Sequence, residues 1–427
     1  MIRIYQDGEL KDSELLKRNA PKFDVAGVVA EILADVEQNG DAAVLKYTEK
    51  FDHAKLDSLL VSEAEIEEAM AETEPEFLDT LRLAERNIRE YHEKQLSRSW
   101  SFTRPGGAVL GMKLLPIERA GLYVPAGTAP YPSTVMMDAV PAKIAGCSEI
   151  IMCTPCRPDG KVNAAILAAA KIAGVDRIYK IGGAQAIAAM AYGTGTVPRV
   201  DKIVGPGNAF VAEAKRQVYG KVAIDTIAGP SEVLVVADET GNPRHIASDM
   251  LAQAEHDVLS CCVLVTDSEA LAKAVQAEIE IQLAALERVS IARPSIDDNG
   301  KIIVAANLRR AMEIANAVAP EHLEIAVDDP FSWLGMVENA GSIFLGKHAP
   351  EALGDYLAGP NHTLPTTGTA KFGSPLSVDD FVKKSQYTYY SREALRDVKD
   401  ALVLFAEEEG LRGHARSVGV RFGEAER

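Results

Sequence analysis

Between Arg119 and Leu345 short apolar runs alternate with Ala-rich stretches of helical length, and this alternation constrains the fold more than any other feature of the chain. The first series of runs is Gly121 to Val124, Glu149 to Thr154, Arg177 to Ile181, Lys202 to Val204, Ala223 to Ile227 and Glu232 to Ala237. A second begins near Asn242: helix Pro243 to His256, strand Cys261 to Thr266, helix Ser268 to Leu286, then strands Ile302 to Ala305, Leu323 to Val327 and Ser342 to Leu345. Repeated strand, loop and helix units predict an α/β fold with parallel sheets covered on both faces. Ligands are then expected at the carboxyl ends of the strands. Two such series in 427 residues predict two packed domains with a cleft between them.

The flanks read differently. Before Arg119 the chain is charged and helical in pattern, with a capping box at Ser62 to Glu65. Phe77, Leu81, Ala84, Ile88 and Tyr91 recur at helical spacing and predict one face of a long helix. His53 and His92, set among charged residues, are expected in solvent. From Gly368 a loop rich in Gly, Ser and Pro leads to a terminal helix, Arg392 to Glu408, and a short basic tail able to reach another subunit.

A formal charge of −17 argues against a polyanion partner, which requires clustered Lys and Arg. The longest apolar runs, such as Ala164 to Ala170, stop at charges like Lys171 too early to span a bilayer. Met1 to Ala20 lacks the apolar core of a secretory signal, so a cytoplasmic location is expected. The odd count of five cysteines fits reduced thiols. Cys153 and Cys156 form a CxxC, but they sit on an apolar strand without a second such pair and read as small buried hydrophobes.

Three groups of residues carry candidate chemistry. Gly121 to Gly127, Gly182 to Gln185 and Gly205 to Phe210 are Gly-rich loops at strand ends, where backbone amides can approach a phosphate. Phe210 stands where a dinucleotide fingerprint needs its third glycine, so spacing leaves a nucleotide site and tight structural turns both open. Gln253 and His256, three apart near a helix end, can share a face, and with Asp355 and His414 they form a donor set suited to zinc. A histidine that merely complements the helix dipole is the competing reading. Glu321 and His322, following Pro320, place a carboxylate and an imidazole side by side. In an extended segment they should diverge toward different reacting atoms. His362 lies in a turn able to project into a cleft, whereas His245 and His348 read as surface.

The motifs GLYVPAG, GGAQAIAA, VGPGNAF, AGPSEVLV, AQAEHD, APEHLEI and AGPNHTLPT, in this order, resemble the histidinol dehydrogenase family. The resemblance implies two incomplete Rossmann-like domains with parallel sheets, a helical N-terminal region and a C-terminal tail. In its terms, residues 1–20 are an arm, 21–120 with 236–367 a discontinuous α/β domain carrying zinc and the catalytic residues, and 121–235 an inserted NAD-binding domain. Residues 368–427 are a tail exchanged in a homodimer. The activity implied is oxidation of L-histidinol to L-histidine through the aldehyde with two NAD, the last step of histidine biosynthesis.

Position by position, Gln253, His256, Asp355 and His414 match the zinc ligands, and Tyr123, Gln185 and Asn208 the NAD contacts. Ser231, His322, His362 and Glu409 match substrate contacts, joined by the zinc ligands themselves. Glu321 and His322 match the catalytic pair: His322 takes the alcohol and gem-diol protons, and Glu321 activates water against the aldehyde. Zinc is implied as a substrate holder rather than an acid or base. The alternatives are a paralogue with the same apparatus acting on another small alcohol such as a sulfonated diol, a metal-stabilised oligomer without activity, and a metallohydrolase. The cysteines have no part in this chemistry. Replacing all five by serine or alanine is expected to leave turnover, followed as NADH formation, largely intact; a folded variant without turnover would reinstate a thiol nucleophile.

Overall fold

The computed structural model describes residues 1–11, 14–17, 25–126 and 130–423. Gly127, the end of the first Gly-rich loop, lies outside them, as do parts of the expected arm and the last residues of the tail. The chain divides into two units, Met1–Gln95 with Ile117–Phe381, and Leu96–Pro116 with Val382–Arg427.

Two wholly parallel sheets form the first unit. The five-stranded sheet runs Arg177–Lys180, Glu149–Thr154, Arg119–Tyr123, Lys202–Val204, Ala223–Ile224 from edge to edge. Counted along the chain this is the order 3-2-1-4-5, that of a dinucleotide-binding sheet without its sixth strand. The other sheet repeats it with Lys301–Val304, Cys261–Thr266, Glu232–Ala237, His322–Ala326 and Ser342–Leu345. Arg3–Gln6 adds a sixth strand beyond Lys301–Val304, where the sequence reading expected no strand.

The alternation of apolar runs and helices thus became the α/β fold that it predicted. Glu232–Ala237 and Cys261–Thr266 are buried at every position, as strands covered on both faces must be. Asparagine or serine side chains cap the helices that start at Ala164, Ala209, Pro243, Glu269 and Leu308 by accepting backbone N–H groups. Each such cap stabilises its helix by about 1 kcal/mol.

In the second unit, Trp100–Thr103, Val109–Pro116 and Val382–Tyr389 form an antiparallel sheet with Val109–Pro116 in the middle. Val382–Tyr389 occupies what was expected to be loop, and a further helix, Arg412–Gly419, follows Arg392–Glu408 in the expected tail.

The Ser62 capping box is present, and the helix expected around Leu81 runs from Pro75 to Glu93. Its buried stripe is Leu81, Ala84, Ile88 and His92, while Phe77 and Tyr91 flank it and stay partly exposed. His92 is therefore not in solvent as expected. Its Nδ1 lies 2.8 Å from the Ile88 carbonyl, and the Asn361 amide faces Nε2 at 3.5 Å. Burial holds the His92 pKa below its ordinary value. The unfolded chain therefore takes up this proton first, and the stability contributed by a neutral His92 is lost as pH falls below about 6.5. His92→Gln should destabilise the protein most near pH 7.5, and its penalty in denaturant unfolding should shrink near about pH 5. An unchanged penalty would show that the imidazole accepts a proton in place.

Candidate active site

The helix Leu308–Val318 ends at Ala319, which adopts the left-handed conformation (φ 53°), and Pro320 prevents its continuation. Glu321 thus falls in a turn and His322 opens the strand His322–Ala326. The amides of Gly341 and Ser342 donate to the Pro320 and Glu321 carbonyls at 2.9 and 2.8 Å. A Cβ on Gly341 would sit 2.5 Å from the Glu321 oxygen, so only glycine permits this approach.

Both candidate bases reach the backbone of Glu232, the first residue of the neighbouring strand. The Glu232 N–H donates to Glu321 Oε2 at 2.8 Å, and His322 Nδ1 lies 2.9 Å from the Glu232 carbonyl oxygen. The side chains were expected to diverge; instead Nδ1 and Oε2 are 3.7 Å apart, because the turn removes Glu321 from strand alternation. With Nδ1–H donating, Nε2 is the free lone pair. It is buried and has no partner among the described residues. Burial first, then the neighbouring His256 and His362, lowers the His322 pKa to about 4. The ring is a neutral base at neutral pH. This site lies at the amino ends of its strands, contrary to the expected carboxyl ends.

A cavity of about 290 Å³ brings His322, Asp355 and His362 together. His362 is likewise held near pKa 4 by burial. Donor atoms of His322, Glu351 and Asp355 all lie within 4.8 Å of one another. Glu351 and Asp355 share a face of the short helix Glu351–Tyr356. Burial pushes Asp355 up to about 6, and burial followed by the charge of Asp355 raises Glu351 well above the usual carboxylate range. Among the described residues no lysine or arginine pairs with either. Carboxyls collected in this way fit a divalent cation, which would take the place of their protons.

Gln253 is buried, and the amide orientation that satisfies both of its atoms has its nitrogen donating to Glu351, 2.9 Å from Oε2. Its carbonyl oxygen is the neutral ligand atom that this side chain could offer a cation. The helix ends at Ala254, so His256 follows in a turn rather than on the expected helical face. Burial also lowers its pKa, and its charge is felt at both His322 and His362. The structure therefore gathers Gln253, His256, Glu321, His322, Asp355 and His362, and adds Glu351. The sequence signal for Glu351 was its spacing of four from Asp355. Ser231, half-buried, directly precedes Glu232. Glu409 and His414 lie in the second unit, both exposed, at the end of Arg392–Glu408 and in Arg412–Gly419.

The expected nucleotide contacts lie at carboxyl ends in the five-stranded sheet. Tyr123 ends its strand, and its hydroxyl accepts the Gly183 N–H at 3.0 Å. Gln185, in the first turn of Gly183–Tyr192, is buried, and among the described residues neither of its amide atoms has a partner. Asn208 is exposed; its Oδ1 caps the next helix through Phe210 and Val211 at 3.0 and 3.2 Å, which leaves Nδ2 for a ligand. Gly205 to Phe210 is thus both a tight turn and a candidate ligand loop. All five cysteines are buried, and burial raises the thiols of Cys147, Cys153 and Cys156.

Fold and site define an α/β enzyme in which a fixed neutral imidazole stands beside buried carboxyls. The histidinol dehydrogenase family model matches residues 16–422. Histidinol dehydrogenase of Clostridium acetobutylicum is 54% identical over 427 residues, covering 99% of each chain. That of Bacillus thuringiensis subsp. konkukian is 52% identical over 97% of this chain and 96% of its own. The crystal structure of histidinol dehydrogenase from Elizabethkingia anophelis superposes with a TM-score of 0.94 at 38% identity, covering 99% of this chain and 98% of that one. The chain belongs to the histidinol dehydrogenase family.

Removing the Glu351 carboxylate leaves the Gln253 amide without its partner. Glu351→Ala should therefore weaken cation retention by about 10- to 100-fold in equilibrium competition with a chelator. Retention equal to the parent would remove Glu351 from any role in the cation site.

Proposed function

We propose that this protein oxidises L-histidinol to L-histidine through histidinaldehyde, by four-electron chemistry that uses two NAD and a resident zinc. The observation that carries the proposal is the buried, unpartnered Nε2 of His322, fixed as a base beside Glu321 in a chain 54% identical to a histidinol dehydrogenase. The alternative of a paralogue acting on a sulfonated diol is not favoured, because the relatives matching nearly the whole chain carry the histidinol dehydrogenase name.

Gln253, His256 and Asp355, with His414 from a second copy of the chain, would hold zinc, which when bound supplies an anchor for the imidazole and amino nitrogens of the substrate. Tyr123, Gln185 and Asn208 would contact NAD, which supplies the two-electron acceptor for each oxidation; the unpartnered Gln185 amide supports this reading. Ser231, His362 and Glu409 complete the substrate contacts.

His322 Nε2 takes the proton of the alcohol as the carbinol C–H bond gives up its electron pair. Nδ1–H, bonded to the Glu232 carbonyl, keeps the ring in one tautomer throughout. Glu321 then takes a proton from a water that adds to the aldehyde carbon, while the protonated His322 returns its proton to the carbonyl oxygen, which gives the gem-diol. His322, neutral again, takes a gem-diol proton in the second oxidation. Its low pKa makes it a base that releases each proton readily after use.

In this reading residues 121–235 form the NAD domain, inserted between 21–120 and 236–367, with the boundary drawn back to before Glu232 because the strand Glu232–Ala237 is central in the other sheet; residues 368–427 are exchanged in a homodimer. Strongly exposed apolar residues of the second unit, Tyr389, Leu404 and Phe405, supply surface for such an exchange. No described helix is long and apolar enough to cross a membrane, which accords with the cytoplasmic location proposed.

Counting NADH against L-histidinol consumed tests the activity: two per alcohol is expected, and one, or turnover only with another alcohol, would refute it. Glu321→Gln should retain alcohol oxidation yet lose about 100-fold or more in the aldehyde half-reaction. Equal losses in both halves would refute the division of roles.

A further inference from the structure

A buried network outside the reacting groups joins the loop after strand Lys202–Val204 to the segment that carries His362. Asp138, fully buried on the helix Pro132–Ala145, accepts the Thr363 hydroxyl through Oδ1 at 3.0 Å. One residue earlier on that helix, the Met137 carbonyl accepts the Asn361 amide at 2.6 Å, and Asn361 Oδ1 accepts the Thr363 N–H at 2.8 Å. Both neighbours of His362 are thus pinned to consecutive helix residues.

The other Asp138 oxygen faces the Gly205 loop. Gly205 has φ 113°, and a Cβ there would lie 2.2 Å from the Tyr123 carbonyl oxygen and 2.9 Å from Asp138 Oδ2. The loop therefore packs its bare Cα against this carboxyl. A buried ion pair grips the same residue. Lys215 pairs with Asp225; Lys215 Nζ donates to the Gly205 carbonyl at 2.9 Å, and the Gly205 N–H donates to Asp225 Oδ2 at 2.8 Å.

We propose that Asp138 is a positioning residue that couples the His362 segment to the Gly205 loop, so that substrate-side and cofactor-side groups are held as one body. The proposal rests on the reading of His362 as a substrate contact. Burial, and after it the charge of Asp225, raises the Asp138 pKa well above the carboxylate range. Toward Thr363 the side chain presents one acceptor oxygen, and asparagine keeps both that acceptor and the size. Leucine reproduces only the volume. Loss of the link would let groups on either side drift, and displacement of about 1 Å in a reacting constellation costs on the order of 100-fold.

The test compares Asp138→Asn, Asp138→Leu, Thr363→Val and the Leu/Val double variant in steady-state turnover of L-histidinol with NAD. Unfolding transitions are recorded for each. Asp138→Asn should stay within about threefold of the parent in kcat, while Asp138→Leu should lose about 100-fold in kcat and raise KM for both NAD and L-histidinol. Thr363→Val should lose kcat in the same direction, and the double variant should lose little beyond Asp138→Leu. An asparagine variant as impaired as leucine, losses that multiply in the double variant, or a rise in KM for only one ligand would overturn the coupling. If Asp138→Leu does not fold, Thr363→Val decides alone: unchanged kcat overturns the proposal. His362→Ala separates the two readings. Impairment there with a silent Asp138→Leu rejects the coupling only, whereas a silent His362→Ala rejects the substrate contact and the coupling with it.

Discussion

The backbone of one residue, Glu232, sets the candidate active site. Its N–H holds Glu321 and its carbonyl holds His322 Nδ1, so both side chains are referenced to the first residue of a buried central strand. A fully buried strand paired on both sides is among the least mobile parts of a protein. Rotation of the imidazole would cost the Nδ1–H hydrogen bond in a place where water cannot replace it. The tautomer, the position of the base and its low pKa all follow from that anchorage together with burial. The Glu232 side chain adds to the same framework, accepting the Thr367 N–H at 2.9 Å beyond the His362 segment.

Much of the fold was legible because apolar runs report burial on both faces of a strand. Glu149–Thr154, Lys202–Val204, Glu232–Ala237 and Cys261–Thr266 fall where the sequence placed them. The elements missed lack that signal. Arg3–Gln6 is a half-exposed edge strand, and seven of the eight residues of Val382–Tyr389 are exposed. Strands of that kind are defined by their partners, Lys301–Val304 and Val109–Pro116, and not by their own hydrophobicity. His92 was misplaced because charged neighbours outweighed its spacing of four from Ile88, which continues the buried stripe.

Within the site, residue types were legible and their arrangement was not. Glu321 and His322 stood out as adjacent acid and base, but their convergence on Glu232 depends on a residue 89 or more positions away. Gln253 and His256 were paired on helical spacing, yet the helix stops between them. Glu351 escaped notice because a glutamate ordinarily faces water. Only the packing of that short helix against Gln253 and His322 makes it a buried group.

The two sheets share the order 3-2-1-4-5 but present opposite ends to the candidate chemistry. At carboxyl ends the chain passes into helices, as it does after Val204 and after Lys180, and the first amides of those helices suit a nucleotide. At amino ends the first strand amide has not yet entered the ladder, so it can grip a carboxylate, and the Glu232 N–H grips Glu321 in this way. An acid and base that must keep fixed positions are better served by an amide at a rigid strand start than by a loop. One topology used from two ends therefore supplies a face suited to a cofactor and an anchor suited to proton transfer. The buried links through Asp138 and Thr363 connect the loop of one sheet to the histidine segment beside the other.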